Sequence, residues 1–160
     1  MKILFSGYHN PHYETVTEYM ERALRALGHD VVVYDDRRHV VPGRIRNRVG
    51  WLNRLDLASI NRRLTNAARC DAVDAVVVTG GDRILGETID RIRAMGIVTA
   101  LWTTDPPKGC VPHLEAAPHY DHIFCQGSEF VDLLRETGTD RARWLPVGCE
   151  PASHHPVELT

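Results

Sequence analysis

The chain has 160 residues, of which 43% are hydrophobic and 25% are charged. These fractions are typical of one globular domain and exclude a disordered chain. A domain of this length buries roughly two thirds of the surface of its unfolded chain, so it needs no disulfide framework. The formal net charge of −2 is near neutral, so any interaction with a charged partner depends on how the charges are distributed.

The four cysteines are scattered and form no CxxC pair of the zinc or redox type. This usage is typical of reduced thiols in a cytosolic protein. The apolar run that follows Lys2 spans only three residues, which is too short for a signal peptide. No apolar run approaches the roughly 20 residues of a membrane span. We therefore predict a cytoplasmic protein.

The first 50 residues predict two strands, one helix and a long loop. The apolar run Ile3–Phe5 predicts a buried first strand. Asn10, which precedes a proline, predicts a helix start, and Gly28 predicts the end of that helix as a left-handed cap. The β-branched run Val31–Tyr34 predicts the second strand. Residues 35–50 contain proline, glycine and many charges, which favours a long functional or mobile loop.

The central part of the chain predicts two helices and two more strands. Trp51–Arg69 has apolar residues at helical spacing, and Ala75–Val78 is a β-branched third strand. Asp82 is placed to cap the next helix, which Gly96 ends. Ile97–Trp102 then predicts a fourth strand, and a proline-rich loop follows it.

The last part of the chain continues the alternation of strand and helix. His122–Cys125 predicts a fifth strand, Ser128 is placed to cap a helix, and Ala142–Leu145 predicts a sixth strand. Such alternation predicts an α/β fold, because parallel crossovers place a helix between successive strands. We predict one Rossmann-like three-layer α/β/α domain over residues 1–146, with a mostly parallel sheet of about six strands. Residues 147–160 are interpreted as an interdomain linker.

Ligands of open parallel sheets bind beyond the carboxyl ends of the strands. Five predicted segments lie there: Gly7–Asn10, Gly80–Asp82, Thr103–Asp105, Gln126–Ser128 and Gly148–Glu150. Our candidate ligand-binding residues are Gly7, His9, Gly80, Gly81, Thr104 and Gln126. Neither the GxGxxG dinucleotide fingerprint nor the GxxxxGK[ST] phosphate loop is present. Plain turn glycines are an equally open interpretation of the glycines.

Asp105 is the candidate catalytic acid. It follows the fourth predicted strand directly, and two prolines stiffen the loop that carries it. A carboxylate held there can accept a proton or a hydrogen bond from a hydroxyl group, although an Asp before Pro also caps turns. The nine histidines match no HExxH or paired Cys/His spacing, so we predict no metal site.

The segment Arg37–Arg69, called the basic segment below, contains nine arginines and a single acidic residue, Asp56. Arg54, Arg62 and its last arginine fall within about 80° on a helical wheel. Three interpretations stay open: a solvated face, a surface for a membrane or another anionic partner, and a nucleic-acid surface. Nucleic acid is the less favoured partner, because no aromatic platform is interleaved with the arginines.

The end of the chain reads WLPVGCEPASHHP and resembles the interdomain segment of group-1 glycosyltransferases of the two-Rossmann (GT-B) type. The family pattern L-P-x-G-x-D-x-x-x-F/H-x-P is occupied by Leu145, Pro146, Gly148, Glu150, His154 or His155, and Pro156. Glu150 stands where Asp is commoner. Three earlier segments resemble the spore-maturation CgeB-like branch, namely DAVDAVVVTGGDRILGETIDRIRAMGI, LWTTDPP and YDHIFCQGSEFVDLLRETG. The likeness covers most of the chain from about residue 71 onward.

The resemblance implies sugar transfer from a nucleotide-sugar to an acceptor, in the cleft between two Rossmann domains. This chain would be the acceptor-side domain, and its partners would be a hydroxylated acceptor and a C-terminal donor-binding Rossmann domain. No cofactor is implied beyond the nucleotide-sugar co-substrate, because helix dipoles and basic side chains neutralise the leaving diphosphate in this family. Asp105 would contact the acceptor or act as base, whereas Thr104 stands where a second Asp is common. We expect no transfer by the chain alone.

A non-catalytic Rossmann-like module that binds a ligand or a partner is the alternative function. Other Rossmann-like classes fit less well. The first strand ends in Ser6 and Gly7 rather than in the acidic pair of a phosphorelay receiver, and a nicotinamide dehydrogenase would carry the missing fingerprint.

Overall fold

The fold is an α/β structure built on a six-stranded, all-parallel sheet. The computed structural model describes residues 1–39, 42–46, 48–104, 115–151, 153, 154 and 156. The strands are β1 (Lys2–Gly7), β2 (Asp30–Asp35), β3 (Ala75–Thr79), β4 (Val98–Thr103), β5 (His122–Cys125) and β6 (Ala142–Trp144). Their order across the sheet is β2-β1-β3-β4-β5-β6. The predicted Rossmann-like α/β architecture is therefore confirmed.

The helices connect successive strands. They are α1 (Val16–Ala26), α2 (Gly43–Arg46), α3 (Gly50–Cys70), α4 (Gly86–Arg93) and α5 (Ser128–Glu136), with one 3₁₀ turn over Ala117–His119. The longest, α3, has 21 residues and carries several arginines. Within the described part of the chain, no helix combines the length and the apolarity that a membrane crossing requires.

Side chains alternate between the two faces of the sheet, and the two faces are covered unequally. The first face carries Leu4, Val76 and Leu101, which pack with α3, α4 and α5 in a large buried core. The opposite face carries Phe5, which packs with Met20 of α1 in a much smaller cluster. This asymmetry follows from the strand order, because the chain turns back only once, from β1 to β2, and α1 makes that crossover.

Helix starts differ from the sequence prediction at three positions. Helix α1 begins at Val16 rather than at Asn10, because Thr15 provides a capping box with Glu18. Asp82 does not cap α4; its carboxylate binds Arg37 instead. Ser128 is the first residue of α5 and makes no side-chain cap hydrogen bond. The predicted loop over residues 35–50 also contains the short helix α2.

Candidate functional site

The strand order places the switch point of the sheet between β1 and β3, where ligands of open parallel sheets bind. A cavity of about 280 Å³ opens there at the carboxyl ends of the strands. Hydroxyl-bearing side chains and one ion pair line it, together with Val16 and Gly80. Its polar side chains belong to Tyr8, Thr15, Thr17, Asp36, Arg37, Thr79 and Thr104. We call it the switch-point cavity.

Asp36 is the buried acid of this cavity. It follows the last residue of β2, and its backbone N–H donates to the carbonyl of Gly7 at the end of β1 (3.4 Å). Only 1% of the residue is exposed, yet its Oδ1 atom accepts no hydrogen bond from any residue that the structure describes. The nearest cation is the Arg37 guanidinium, with Nε 3.7 Å from Oδ1. Burial raises the pKa of Asp36 to about 6, against the opposing charge of Arg37.

Arg37 links two strand ends across the cavity. Its backbone N–H donates to Oδ1 of Asp35 (2.9 Å), and its Nη2 donates to Oδ1 of Asp82 (2.6 Å). Because Asp82 follows β3, this pair fixes the loop after β2 against the loop after β3. One edge of the Arg37 guanidinium therefore binds the carboxylate of Asp82, and its positive charge lies beside Asp36.

Glycines allow the close packing at this edge. A Cβ atom on Gly7 would overlap the methyl groups of Thr79 and Thr17, so only glycine lets β1, α1 and β3 approach this closely. Gly80 and Gly81 both adopt positive φ angles, of 77° and 85°. The chain can therefore turn sharply at the end of β3 and fold back toward the sheet.

Three buried side-chain oxygens have no hydrogen-bond partner in the described part of the chain: Ser6 Oγ, Asp36 Oδ1 and Tyr120 OH. Tyr120 OH would lie 3.9 Å from a Cβ atom on Gly81, which places it beneath the loop that follows β3. Burial raises the pKa of Tyr120 far above its usual range, and the nearby charge of Asp36 adds to this effect. Buried polar groups are normally paired, so unpaired oxygens below a polar cavity indicate a place for a ligand or ordered water.

The structure brings together some of the predicted site residues and separates others. Gly80 and Thr104 line the switch-point cavity, and Gly7 and Gly81 border it. Gln126 is exposed at the end of β5, where its carbonyl accepts a hydrogen bond from an indole N–H. Asp105, the predicted catalytic acid, lies outside the described residues.

His9 is held away from the cavity lining. Its Nε2 lies 3.2 Å from Oε2 of Glu21 on α1, and its ring packs edge-on against Phe5. The contact with the helix accounts for this histidine without a ligand. Within the described ranges, no three His, Cys, Asp or Glu side chains come together as ligands for one metal ion.

Sequence reasoning missed Asp36 and Arg37 as site residues. The rule that selected the other strand ends applies equally to the end of β2, where Asp35 and Asp36 follow a β-branched run. The pair was instead assigned to the long loop over residues 35–50. Thr15 and Thr17 have no comparable signal, because they reach the cavity only through the packing of α1 on β1.

A second cavity, of about 310 Å³ and mainly apolar, lies between α1 and the sheet. Its walls include Phe5, Met20 and Trp102, and the chain beyond β6 closes it. The indole N–H of Trp102 donates to the carbonyl of Leu145 (3.2 Å), and Glu150 lies 3.7 Å from the guanidinium of an α1 arginine. The first part of the predicted linker therefore packs on α1.

No protein-family model and no curated protein matches this chain.

Proposed function

We propose that this chain is the acceptor-side domain of a nucleotide-sugar-dependent glycosyltransferase. It would transfer a sugar to a hydroxylated acceptor when joined to a C-terminal donor-binding domain. The observation that carries the proposal is the switch-point cavity, where four threonines surround a buried carboxylate whose Oδ1 atom accepts no hydrogen bond from the described residues. Hydroxyl groups of an acceptor can donate to Asp36 and exchange hydrogen bonds with the threonines.

Asp36 has the properties of a group that binds and deprotonates a hydroxyl. Its pKa of about 6 leaves it ionised at neutral pH, yet close enough to that pH to take up a proton. Among the described residues, no donor makes a hydrogen bond to its Oδ1 atom. In this proposal Asp36 accepts the hydrogen bond of the reacting hydroxyl or of its neighbour. Asp105 keeps the acceptor-contact role that the family resemblance implies.

The cavity volume of about 280 Å³ is near the lower end of the range for small-molecule sites. It therefore suits one sugar ring or a similarly small polyol better than an extended nucleotide-sugar. This size favours binding of the acceptor rather than the donor on this domain. In this proposal the donor domain neutralises the negative charge of the leaving diphosphate.

The test is a titration of the isotope-labelled chain with free glucose, galactose and N-acetylglucosamine, followed by amide NMR. We expect weak binding that shifts the signals of Gly80 and Thr104 and is lost in Asp36→Asn. Asp132→Asn, a change of an exposed carboxylate on α5, is the matched control and should bind as the wild type does. Absence of shifts at the strand ends, or equal shifts in Asp36→Asn, would contradict the proposal.

A non-catalytic binding module is the second candidate function, and the apolar cavity favours it. A cavity with Phe5, Met20 and Trp102 in its walls fits an apolar ligand better than a sugar. Titration with the apolar dye anilinonaphthalene sulfonate distinguishes the two functions. Dye binding that is blocked by Ala23→Phe, together with no monosaccharide shifts around Asp36, would favour the binding module.

A further inference from the structure

Helix α3 carries an exposed stripe that has two apolar residues at its start and arginines further along the helix. Trp51 is 62% exposed and Leu55 is 57% exposed, and they lie one turn apart at the start of the helix. At about 100° per residue, Arg62 and Arg69 fall on the same stripe, and Arg54 lies beside it. The other side of α3 is buried in the core through Ile60, Leu64 and Ala68. We call Trp51, Leu55, Arg62 and Arg69, together with Arg54, the α3 stripe.

The arginines of the α3 stripe have no acidic partner among the described residues, and the same holds for exposed Arg44 and Arg48 just before the helix. The single acid of the basic segment, Asp56, is 1% exposed and binds His39 (2.7 Å). The arginines of α1 and α4 are paired with acids, as in Arg22–Glu14 and Arg91–Glu87. The charge of the stripe is therefore uncompensated locally.

The location of the stripe adds a constraint. A helix between two parallel strands runs antiparallel to them, so the first turns of α3 lie toward the carboxyl ends of the strands. Trp51 and Leu55 therefore lie at the same edge of the sheet as the switch-point cavity. A surface that binds the stripe would approach the protein from the side of its candidate site.

We propose that the α3 stripe docks the protein on an anionic phospholipid surface. Trp and Leu side chains enter the boundary between headgroups and acyl chains, and arginines around them bind lipid phosphates. A second copy of the chain is a poorer occupant, because a two-fold contact would oppose the same uncompensated arginines. Nucleic acid would use the arginines but would leave the apolar pair at the start of the helix without a role.

The experiment is co-sedimentation of the full chain with vesicles of phosphatidylcholine alone or with about 30% phosphatidylglycerol. We expect binding to the anionic vesicles only, and weaker binding as salt is raised. The triple variant Arg54→Gln/Arg62→Gln/Arg69→Gln should bind about 100-fold more weakly, from about a fivefold effect of each arginine. Trp51→Ser should also weaken binding. Trp144→Ser is its matched control, because Trp144 is equally exposed (62%) on β6.

Each variant is checked for folding by its urea unfolding midpoint, so that a loss of binding is not a loss of structure. Equal binding to neutral and anionic vesicles, or unchanged binding of the triple variant, would overturn the proposal. So would a concentration-dependent dimer that Trp51→Ser dissociates, because the stripe would then be an interface between copies. Tighter binding to duplex DNA than to anionic vesicles, abolished in the triple variant, would assign the surface to nucleic acid instead.

Discussion

Two buried polar side chains, Asn61 on α3 and Asp36 after β2, are almost equally inaccessible to water but differ in their partners. Asn61 is 4% exposed, and its amide donates to the carbonyls of Leu57 and Arg83 and accepts from the N–H of Leu85, all at 2.9 Å. Asp36 is 1% exposed, and its Oδ1 accepts no hydrogen bond within the described part of the chain.

The difference separates a structural role from a functional one. Helix α4 begins after Leu85, which has no side-chain cap, so Asn61 of α3 provides the missing acceptor for that backbone N–H. A buried polar group with a full set of partners fixes the position of one element on another. A buried carboxylate oxygen that accepts no hydrogen bond destabilises the fold, and such a group is retained where a ligand completes its hydrogen bonds.

The largest effect is expected for Asn61→Ala. The change removes three hydrogen bonds, two of them to the backbone groups of Arg83 and Leu85, so we expect a loss of about 3 kcal/mol in the free energy of unfolding. Urea unfolding measures this loss. Asn66→Ala, at an exposed position of the same helix, should change stability by less than about 0.5 kcal/mol. Equal effects of the two changes would break the comparison.

Gly7→Ala tests the close packing beside Asp36. The new methyl group meets those of Thr79 and Thr17, and such overpacking should lower the free energy of unfolding by about 2–3 kcal/mol. Adding Thr79→Ser removes one of the opposing methyl groups and should restore part of the stability. Gly148→Ala, where nothing lies within 4 Å, is the control. A Gly7→Ala protein as stable as the wild type would show that β1, α1 and β3 have room for a methyl group at this edge.

Asp36→Asn tests the functional half of the comparison. Burial raises the pKa of Asp36 from 3.8 to about 6, so between these pH values the folded protein binds more protons than the unfolded chain. The free energy of unfolding therefore falls as pH rises through this window, and the loss is complete above the folded pKa. Asp36→Asn removes the loss and should stabilise the protein at pH 7 by about 1–2 kcal/mol, with little effect near pH 4.

Asp121→Asn provides the opposite sign for the same measurement. Burial acts to raise the pKa of Asp121, but hydrogen bonds from Thr99 and Arg93 hold it below the usual value. Its stabilising contribution is present above the unfolded pKa and is lost as pH falls through the folded pKa, so the variant should be less stable at pH 7. If both Asp variants are destabilised at pH 7, Asp36 has a structural partner and the distinction fails.

The smallest effect is expected for Thr15→Ala, which sharpens the comparison because this residue serves both purposes. The Thr15 hydroxyl accepts from the N–H of Thr17 and donates to Glu18, and the residue also lines the switch-point cavity. Loss of the cap should lower the free energy of unfolding by about 1 kcal/mol. Thr15→Ser keeps the hydroxyl group and should be nearly as stable as the wild type. A loss equal in both variants would assign the effect to the methyl group.

Local patterns predicted the elements well and their starts less well. The apolar spacing of Trp51–Arg69 predicted α3, and Gly28 and Gly96 adopt the positive φ angles expected of helix ends. Asn10 failed as a helix start because a stronger local signal, the capping box at Thr15, lay five residues further on. The prediction that Asp82 caps a helix was wrong because its carboxylate binds Arg37. Arg37 is distant in sequence, so no local pattern reveals this contact.

The candidate site was predicted only in part, for a physical reason. Gly80 and Thr104 were found because each follows its own strand, and the carboxyl-end rule applies to each strand separately. The rule does not say which strand ends are neighbours, or which side chains near them lack partners. The unpaired Oδ1 atom of Asp36 and the positions of Thr15 and Thr17 depend on contacts across the sheet.

The sequence by itself determined that this protein alternates strands and helices, because periodicity, β-branched runs and glycine punctuation act over a few residues. It thereby determined a parallel sheet with a polar carboxyl edge. Only the tertiary structure decided the strand order, which brings Asp36, Thr79 and Thr104 to one cavity from distant parts of the chain. It also decided which face of α3 is exposed. Burial and pairing depend on all neighbours in space, which no stretch of sequence contains.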